Sequence, residues 1–366
     1  MDNIRHKVLS SIDMIGKSEW DAIFGDVAEG YSFYKTLENS NLKQFRFFYV
    51  TLHRNKETLL IAPLFTAELN FDIVMDGLLA DAVRGIRKFI PRFFIKNTLF
   101  CGSPFGENGV IGIKENLAGN EKEILISRLT ETMERLCKKK NIDFMVFKDF
   151  LDRDTGTLDP LKKMRFFKVE SLPSIIIDLD FGSMDNYFKL LGHSTRKDLK
   201  RKLKKAQAAG NIRIDAADNA AGALDRIYEL YLNTYNAGEV KFEKLTKDFF
   251  VQISRNFGPH AKFFLYYVDG RLAAFNLCFI RNGLFIDKFI GFDYALSCEH
   301  NLYFISWHHN IEWCLKNSMT RYQAGQTDYE PKINLGGERM PLYAYARHGN
   351  VFANFLLAAL VKLLRL

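Results

Sequence analysis

The sequence contains no GxGxxG, no GxxxxGK[ST], no GxSxG and no HExxH, so dinucleotide-binding, P-loop, nucleophile-elbow and zincin readings lose their usual support. Redox and kinase chemistry are not expected. There is no CxxC pair, and the five cysteines (Cys101, Cys137, Cys278, Cys298, Cys314) are odd in number and set mostly in apolar runs. That suits reduced core thiols better than a disulfide framework or a zinc site. Long apolar runs are also missing. The longest, Val351 to Val361, is interrupted by Asn354 and closed by Lys362, well short of the roughly 20 residues a bilayer-spanning helix needs. The first residues, MDNIRHKVLSSIDMIGKSEW, hold no apolar stretch between their charges, as a secretory signal would require. A cytoplasmic location is therefore expected, with peripheral contact at the inner face of the membrane left open.

What is present is a well-cored chain. Its 366 residues, 48% hydrophobic and 26% charged, are enough for two domains of ordinary size. The 33 phenylalanines imply large aromatic cores. The net charge of +8 is local, because Arg196 to Lys205 (RKDLKRKLKK) holds seven basic residues against one acidic. An anionic partner is then expected at one place and not over the whole surface.

The chain echoes itself. FRFFYVTLHRNKETLLIAPLF from Phe45 reads as two strands around a polar turn, and AKFFLYYVDGRLAAFNLCFI from Ala261 reads the same way around Asp269-Gly270. Each pair is followed by a long helix and a short strand: Asn120 to Lys140 with Ile142 to Phe150, and Asn301 to Asn317 with Thr320 to Gly325. The pattern predicts a mixed α/β fold in two halves of similar plan. The join is expected near Leu151 to Lys163, where Gly156, Pro160 and several charges break the apolar pattern, giving halves of about 1–160 and 161–350 and an apolar C-terminal helix at 351–366. Ser194 or Thr195 can cap the basic helix, which runs to Gly210 and places Leu199, Leu203 and Ala206 on one stripe.

Three stretches carry a resemblance: IDMIGKSEWDAIFGD…YKTLENS, HSTRKDLKRKLKKAQAAG, and GFDYALSCEHNLYFISWHHNIEWCLK…RYQAGQTDYEPKINLGGERMPLYAYARH. Together they resemble the FemAB-like, peptidoglycan-biosynthesis-type acyltransferases of the GNAT (acyl-CoA N-acyltransferase) superfamily. The resemblance implies tandem GNAT-like halves and transfer of an acyl or aminoacyl group to an amine, carried by a small molecule or a glycan. In acetyl-CoA-dependent relatives a Q/RxxGxG/A loop holds the pyrophosphate. Here that place reads GFDYALSCEHN, Gly291 to Asn301, without the glycines. The counterpart of the loop makes Leu296, Ser297, His300, Asn301 and Leu302 the candidate contacts for acyl-CoA as donor substrate. Peptide N–H groups opening the Asn301 helix favour a phosphate, and Glu299 opposes it. An aminoacyl-tRNA donor, used by some FemAB relatives, stays open, and so does a non-catalytic protein of the same fold that binds a glycan or a membrane.

Amine acylation needs a base for the attacking amine and donors for the carbonyl oxygen. Gly325 to Gly336, GQTDYEPKINLG, offers Asp328, Glu330 and Lys332, which an extended segment before Pro331 would turn to one side while Tyr329 faces the other. A carboxylate pair beside a lysine makes a base with a charge partner; a solvated loop held by a salt bridge is the plainer account. Tyr294 follows the expected central strand, and Asp293 beside it could bind an amine. Arg196, Lys197, Lys200 and Arg201 are candidates for a phosphate-bearing donor or an anionic glycan, against a merely solvated helix face. His308 and His309 point about 100° apart on a helix, so they are read as packing or capping and no metal is expected. Val83 to Lys96 and the C-terminal stretch suit an anionic bilayer surface, but docking on the protein's own core or on a second subunit is the preferred reading of both.

Overall fold

The computed structural model describes residues 4–70, 85, 95–208, 212–238 and 244–364. The chain forms two compact units, one of residues 1–25, 43–172 and 341–366, the other of 26–42 and 173–340. The strands among the described residues are β1 (Ile4–Leu9), β2 (Arg46–Arg54), β3 (Glu57–Asn70), β4 (Ile95–Cys101), β5 (Gly112–Ile113), β6 (Phe144–Leu151) and β7 (Phe167–Asp178). They continue with β8 (Ile212–Ala217), β9 (Ala261–Val268), β10 (Arg271–Arg281), β11 (Leu284–Phe292), β12 (Arg321–Gly325) and β13 (Glu338–His348).

In the first unit the strands lie in the order β1-β2-β3-β4-β6, with Leu342–His348 of β13 beyond β6. All neighbours are antiparallel except β4 and β6. The parallel pair needs a crossover, and the helix Gly119–Lys140 supplies it. That helix is closed by Asn141 in the left-handed region (φ 53°) and carries Lys138, Lys139 and Lys140 in its last turn, where they complement its dipole. Leu125, Ile126, Leu129 and Met133 form its buried stripe, packed with Val50, Leu60, Leu99 and Phe147 of the sheet. The segment 151–163 forms two short helices, Asp152–Leu158 and Pro160–Lys163, within this unit.

The second unit repeats the plan strand for strand. Its order is β8-β9-β10-β11-β12, with Ile175–Asp178 of β7 beyond β12, and only β11 and β12 are parallel. The crossover is the helix Leu302–Lys316. Thus β2–β3 corresponds to β9–β10, and helix Gly119–Lys140 to helix Leu302–Lys316, as the sequence echo implies. The turns obey local chemistry: Asp269-Gly270 and Asn282-Gly283 both have positive φ at each residue (46° and 79°, 49° and 78°), the conformation of tight hairpins. The core joins Phe264, Tyr266 and Phe285 of the sheet to Trp307, Ile311 and Cys314 of the crossover helix.

The basic helix spans His193–Ala208, with Leu199 and Ala206 buried and Leu203 half-buried. Ser194 and Thr195 do not cap it; they lie inside its first turn, where Arg196 N–H already bonds Gly192 O at 2.9 Å. Gly210, the expected stop, and Val83 to Phe94 of the basic and aromatic stretch, apart from Gly85, lie outside the described residues.

Candidate active site

The second unit has a split in its sheet. β11 and β12 pair only over Leu284–Ile286 with Arg321–Gln323, while β11 runs on to Phe292 with β10 as its only ladder partner among the described residues. A bulge sits at the divide: Cys278 faces Asp287 and Leu277 faces Phe289, leaving Lys288 as the extra residue. Lys288, its side chain 2% exposed, pairs with Glu29 at 2.6 Å. Gly291 stands where helix Leu224–Ala237 presses on β11, since a Cβ there would lie 2.6 Å from the Leu230 carbonyl carbon and 2.7 Å from the Tyr231 nitrogen.

Polar groups gather beside the split. Tyr322 donates to Asp287 Oδ2 at 2.7 Å, Asn310 Nδ2 donates to Asn276 Oδ1 at 2.8 Å and to Asp287 at 3.3 Å, and Asn276 also donates to Asp287. Asn276 and Asn310 are wholly buried, yet Asn310 Oδ1 has no partner among the described residues, nor has the buried Tyr303 hydroxyl, two turns of helix earlier. Burial, and then the charges of Asp287 and Asp328, push the Tyr303 hydroxyl well above the ordinary tyrosine range, so it remains a proton donor. The sequence reading missed this group. Two signals pointed to it: Asn310 on the apolar stripe of an otherwise buried helix, and the Asn282-Gly283 turn that fixes where β11 begins.

The segment after β12 differs from the sequence expectation. Asp328, Glu330 and Lys332 do not alternate along an extended chain: Asp328 takes the left-handed region (φ 52°) and Tyr329–Asn334 is a helix. Pro331 is tolerated because it falls in the first turn, where its missing N–H has no intrahelical role. Lys332 Nζ is not beside the carboxylates as a charge partner; it donates to the Ala324 carbonyl at 2.6 Å and ties the helix to the end of β12. Tyr329 anchors the same helix through Pro173 O at 3.0 Å. Glu330 is exposed and lines a cleft of about 350 Å³ with Ser194, Thr195, Asp198, Lys202, Phe304 and Asn334. Within it, Lys202 sits 3.5 Å from the Phe304 ring centroid and 2.8 Å from Asp198, and the Lys202 and Arg201 hydrogen bonds hold the Asp198 carboxyl below its ordinary range. The cleft thus joins the basic helix, the crossover helix and the Tyr329–Asn334 helix, three of the stretches singled out in the sequence.

The remaining candidates are spread around this centre. Tyr294 is 43% exposed at the start of a short helix, Tyr294–His300. Asp293 is not available to an amine: it caps that helix and binds Arg226 at 2.8 Å and Arg271 at 2.9 Å. Burial opposes its ionisation, but the two guanidinium groups and the Leu296 N–H outweigh it and lower the pKa. Ser297, His300 and Leu302 are buried, while Leu296 and Asn301 are half-buried. Lys197, Lys200 and Arg201 face solvent, with Arg201 on Asp198 at 2.6 Å; Arg196 is half-buried and donates to Phe188 O at 3.4 Å. None of these four lines the cleft. His309 packs on the Phe264 ring with centroids 4.7 Å apart, and among the described residues no three His, Cys, Asp or Glu side chains are grouped to hold a metal.

Comparison with known proteins adds to this geometry. Residues 193–332 match the model of the acetyltransferase (GNAT) domain family. This part of the chain is a GNAT acyltransferase domain. It contains the basic helix, the divided strands and the first residues of the Tyr329–Asn334 helix. The whole chain is similar in fold to the crystal structure of FemX (12% identity, 95% of this chain and 98% of that one, TM-score 0.58). It is also similar in fold to a tandem GNAT protein from the clavulanic acid biosynthesis pathway (11%, 95% and 99%, TM-score 0.52). A third structure of like fold is the C-terminal domain of a putative lysylphosphatidylglycerol synthetase from Agrobacterium fabrum (11%, 95% and 96%, TM-score 0.54). The fold is therefore that of tandem, FemAB-like GNAT proteins. No curated protein sequence matches the chain.

Proposed function

We propose that the GNAT domain transfers an acyl group from an acyl thioester, acyl-CoA in the simplest case, to the amine of a small molecule or glycan. The observation that carries this reading is the split between β11 and β12. Backbone groups of β11 beyond Ile286 face away from β10 without a β12 ladder, and such groups attract a partner with amides of its own. The extended, amide-bearing arm of CoA is such a partner. The attacking amine forms the new N–C bond as the C–S bond breaks. Glu330, at the cleft, takes the amine proton, with Asp328 as the neighbouring carboxylate, and Tyr303 returns a proton to the leaving thiolate. Leu296 to Leu302, after β11, would lie toward the pyrophosphate.

Titration calorimetry of CoA, with hydrogen exchange on the complex, tests the donor. The expected result is measurable heat with slowed exchange in 287–302. No heat and no protection at millimolar CoA sinks it.

A second reading has an aminoacyl-tRNA as donor. It is supported by the position of the basic helix, which walls the cleft with Ser194, Thr195 and Lys202 while Lys200 and Arg201 face solvent. Native mass spectrometry separates the two, since a retained CoA species or a retained tRNA would identify the donor class directly.

A further inference from the structure

The helix Val351–Leu364 belongs to the first unit and has no part in the cleft. Its inner side rests on that unit through Asn354, which is 8% exposed, donates to Arg165 O at 3.0 Å and accepts from His348 N at 2.8 Å. Its outer side is apolar and bare: Val351, Phe352, Phe355, Leu356 and Leu363 are 62%, 71%, 68%, 51% and 79% exposed. At 100° per residue they fall within an arc of about 140°, one face that also holds the exposed Lys362 near its edge. Exposed phenylalanines scattered singly would need no account; a stripe of this kind does.

Charge says what covers it. After Glu338 the sequence has no acidic residue, and the helix itself carries the exposed Lys362. The start of the helix is tied to the first unit where Gly349 N donates to Asp143 O at 2.6 Å, just past the exposed Lys138, Lys139 and Lys140. An apolar face that carries a cation and no acidic residue on its own helix suits neither water nor a second copy of itself, which would oppose like charges. The face is also small. Fourteen residues give a footprint of roughly 200 Å², against about 800 Å² per partner in a stable protein interface.

We propose that this face docks on an anionic lipid bilayer, with the helix lying in the plane of the headgroups. At about 21 Å the helix is too short to cross a hydrocarbon core of about 30 Å, and among the described residues no helix is long and apolar enough to do so. Phe352, Phe355 and Leu356 enter the acyl boundary, and Lys362 reaches up to the phosphates along its own stem. The surface is independent of the acyl-transfer reading.

Sedimentation of the full chain with vesicles tests it, using phosphatidylcholine alone and phosphatidylcholine mixed with phosphatidylglycerol. The expected result is partition onto the anionic vesicles, weakened by added salt, and at least about tenfold weaker for Phe352→Ser with Phe355→Ser at unchanged melting temperature. A Phe355→Trp variant reads insertion directly, as a blue shift of emission with anionic vesicles. Three results overturn the proposal: no partition of the wild-type chain, unchanged partition of the double variant, or a dimer in light scattering that the same substitutions dissociate without any vesicle binding.

Discussion

Replacing Glu330 and Lys332 separately distinguishes a catalytic segment from a solvated loop. Glu330 is exposed and, among the described residues, has no hydrogen-bond or ion-pair partner, so Glu330→Gln should change stability by no more than about 0.5 kcal/mol. If its carboxylate accepts the amine proton, turnover should fall by roughly 10² to 10⁴. Lys332 is expected to behave differently. Its ammonium bond to Ala324 O at 2.6 Å is of the charge-assisted kind, worth about 1.5–3 kcal/mol when dry, and partial exposure reduces this to about 1 kcal/mol. Lys332→Met should then lower melting by about 2–4 °C for a unit of this size and loosen the helix that presents Glu330, so both KM and kcat should suffer. Asp328→Asn should be neutral for folding, because asparagine tolerates the left-handed backbone that Asp328 adopts. The assay is release of free thiol from acyl-CoA with an amine acceptor, beside thermal melting of each variant. Wild-type turnover in Glu330→Gln removes the segment from the chemistry. A melting temperature several degrees lower in that variant would make its carboxylate structural instead.

Three other outcomes rest on the same packing. Gly291→Ala should cost at least about 1–3 kcal/mol by chemical denaturation, because its methyl would meet the buried Phe275 ring and, behind it, the backbone of helix Leu224–Ala237, which cannot swing aside. Glu29→Ala should be destabilising by denaturation, since it removes the carboxylate that the buried Lys288 ammonium binds at 2.6 Å, while Glu29→Ala with Lys288→Met should recover part of that loss. Burial lowers His309 to about pKa 4, so the folded protein keeps it neutral while the unfolded chain takes up a proton below about pH 6.5. Its contribution is complete above that pH and is lost between about pH 6.5 and 4, to a total of about 3 kcal/mol. His309→Gln should flatten this part of the stability–pH curve.

Topology was legible because it is written in local chemistry. The hairpin turns are marked by Asp269-Gly270 and Asn282-Gly283, and the crossover helices by apolar stripes closed with lysines or asparagine. Residues of the candidate site were less so. Asp328 to Lys332 read as extended because a proline usually pushes the residue before it out of the helical region, but a helix that begins just before the proline needs no N–H there. The tether from Lys332 to Ala324, and the pairing of Asp293 with Arg226 and Arg271, join residues up to 67 positions apart. No spacing rule announces such contacts. The polar group around Asp287 has members on β10, β11, β12 and the crossover helix, and comes together only when the sheet is built.

The two units share a plan but differ at the strand end where the proposed donor would bind. In the second unit β11 runs on to Phe292, well past Ile286, its last residue paired with β12. In the first, β4 ends at Cys101, the last residue paired with β6, and the chain turns back over the strand end: Gly109 N donates to Asp149 O at 2.7 Å. A Cβ on Gly109 would stand 2.1 Å from the Lys148 carbonyl oxygen, closer than any real contact, so only glycine lets this segment seal the split. Gly109→Ala should therefore force the seal off β6 and leave the carbonyl groups there without a partner, at a cost of several kcal/mol by denaturation. If the second unit alone takes the donor, CoA binding should be unaffected as long as the protein remains folded. A loss of CoA affinity in Gly109→Ala, at a temperature where both units are still folded, would place the donor in the first unit and refute the assignment.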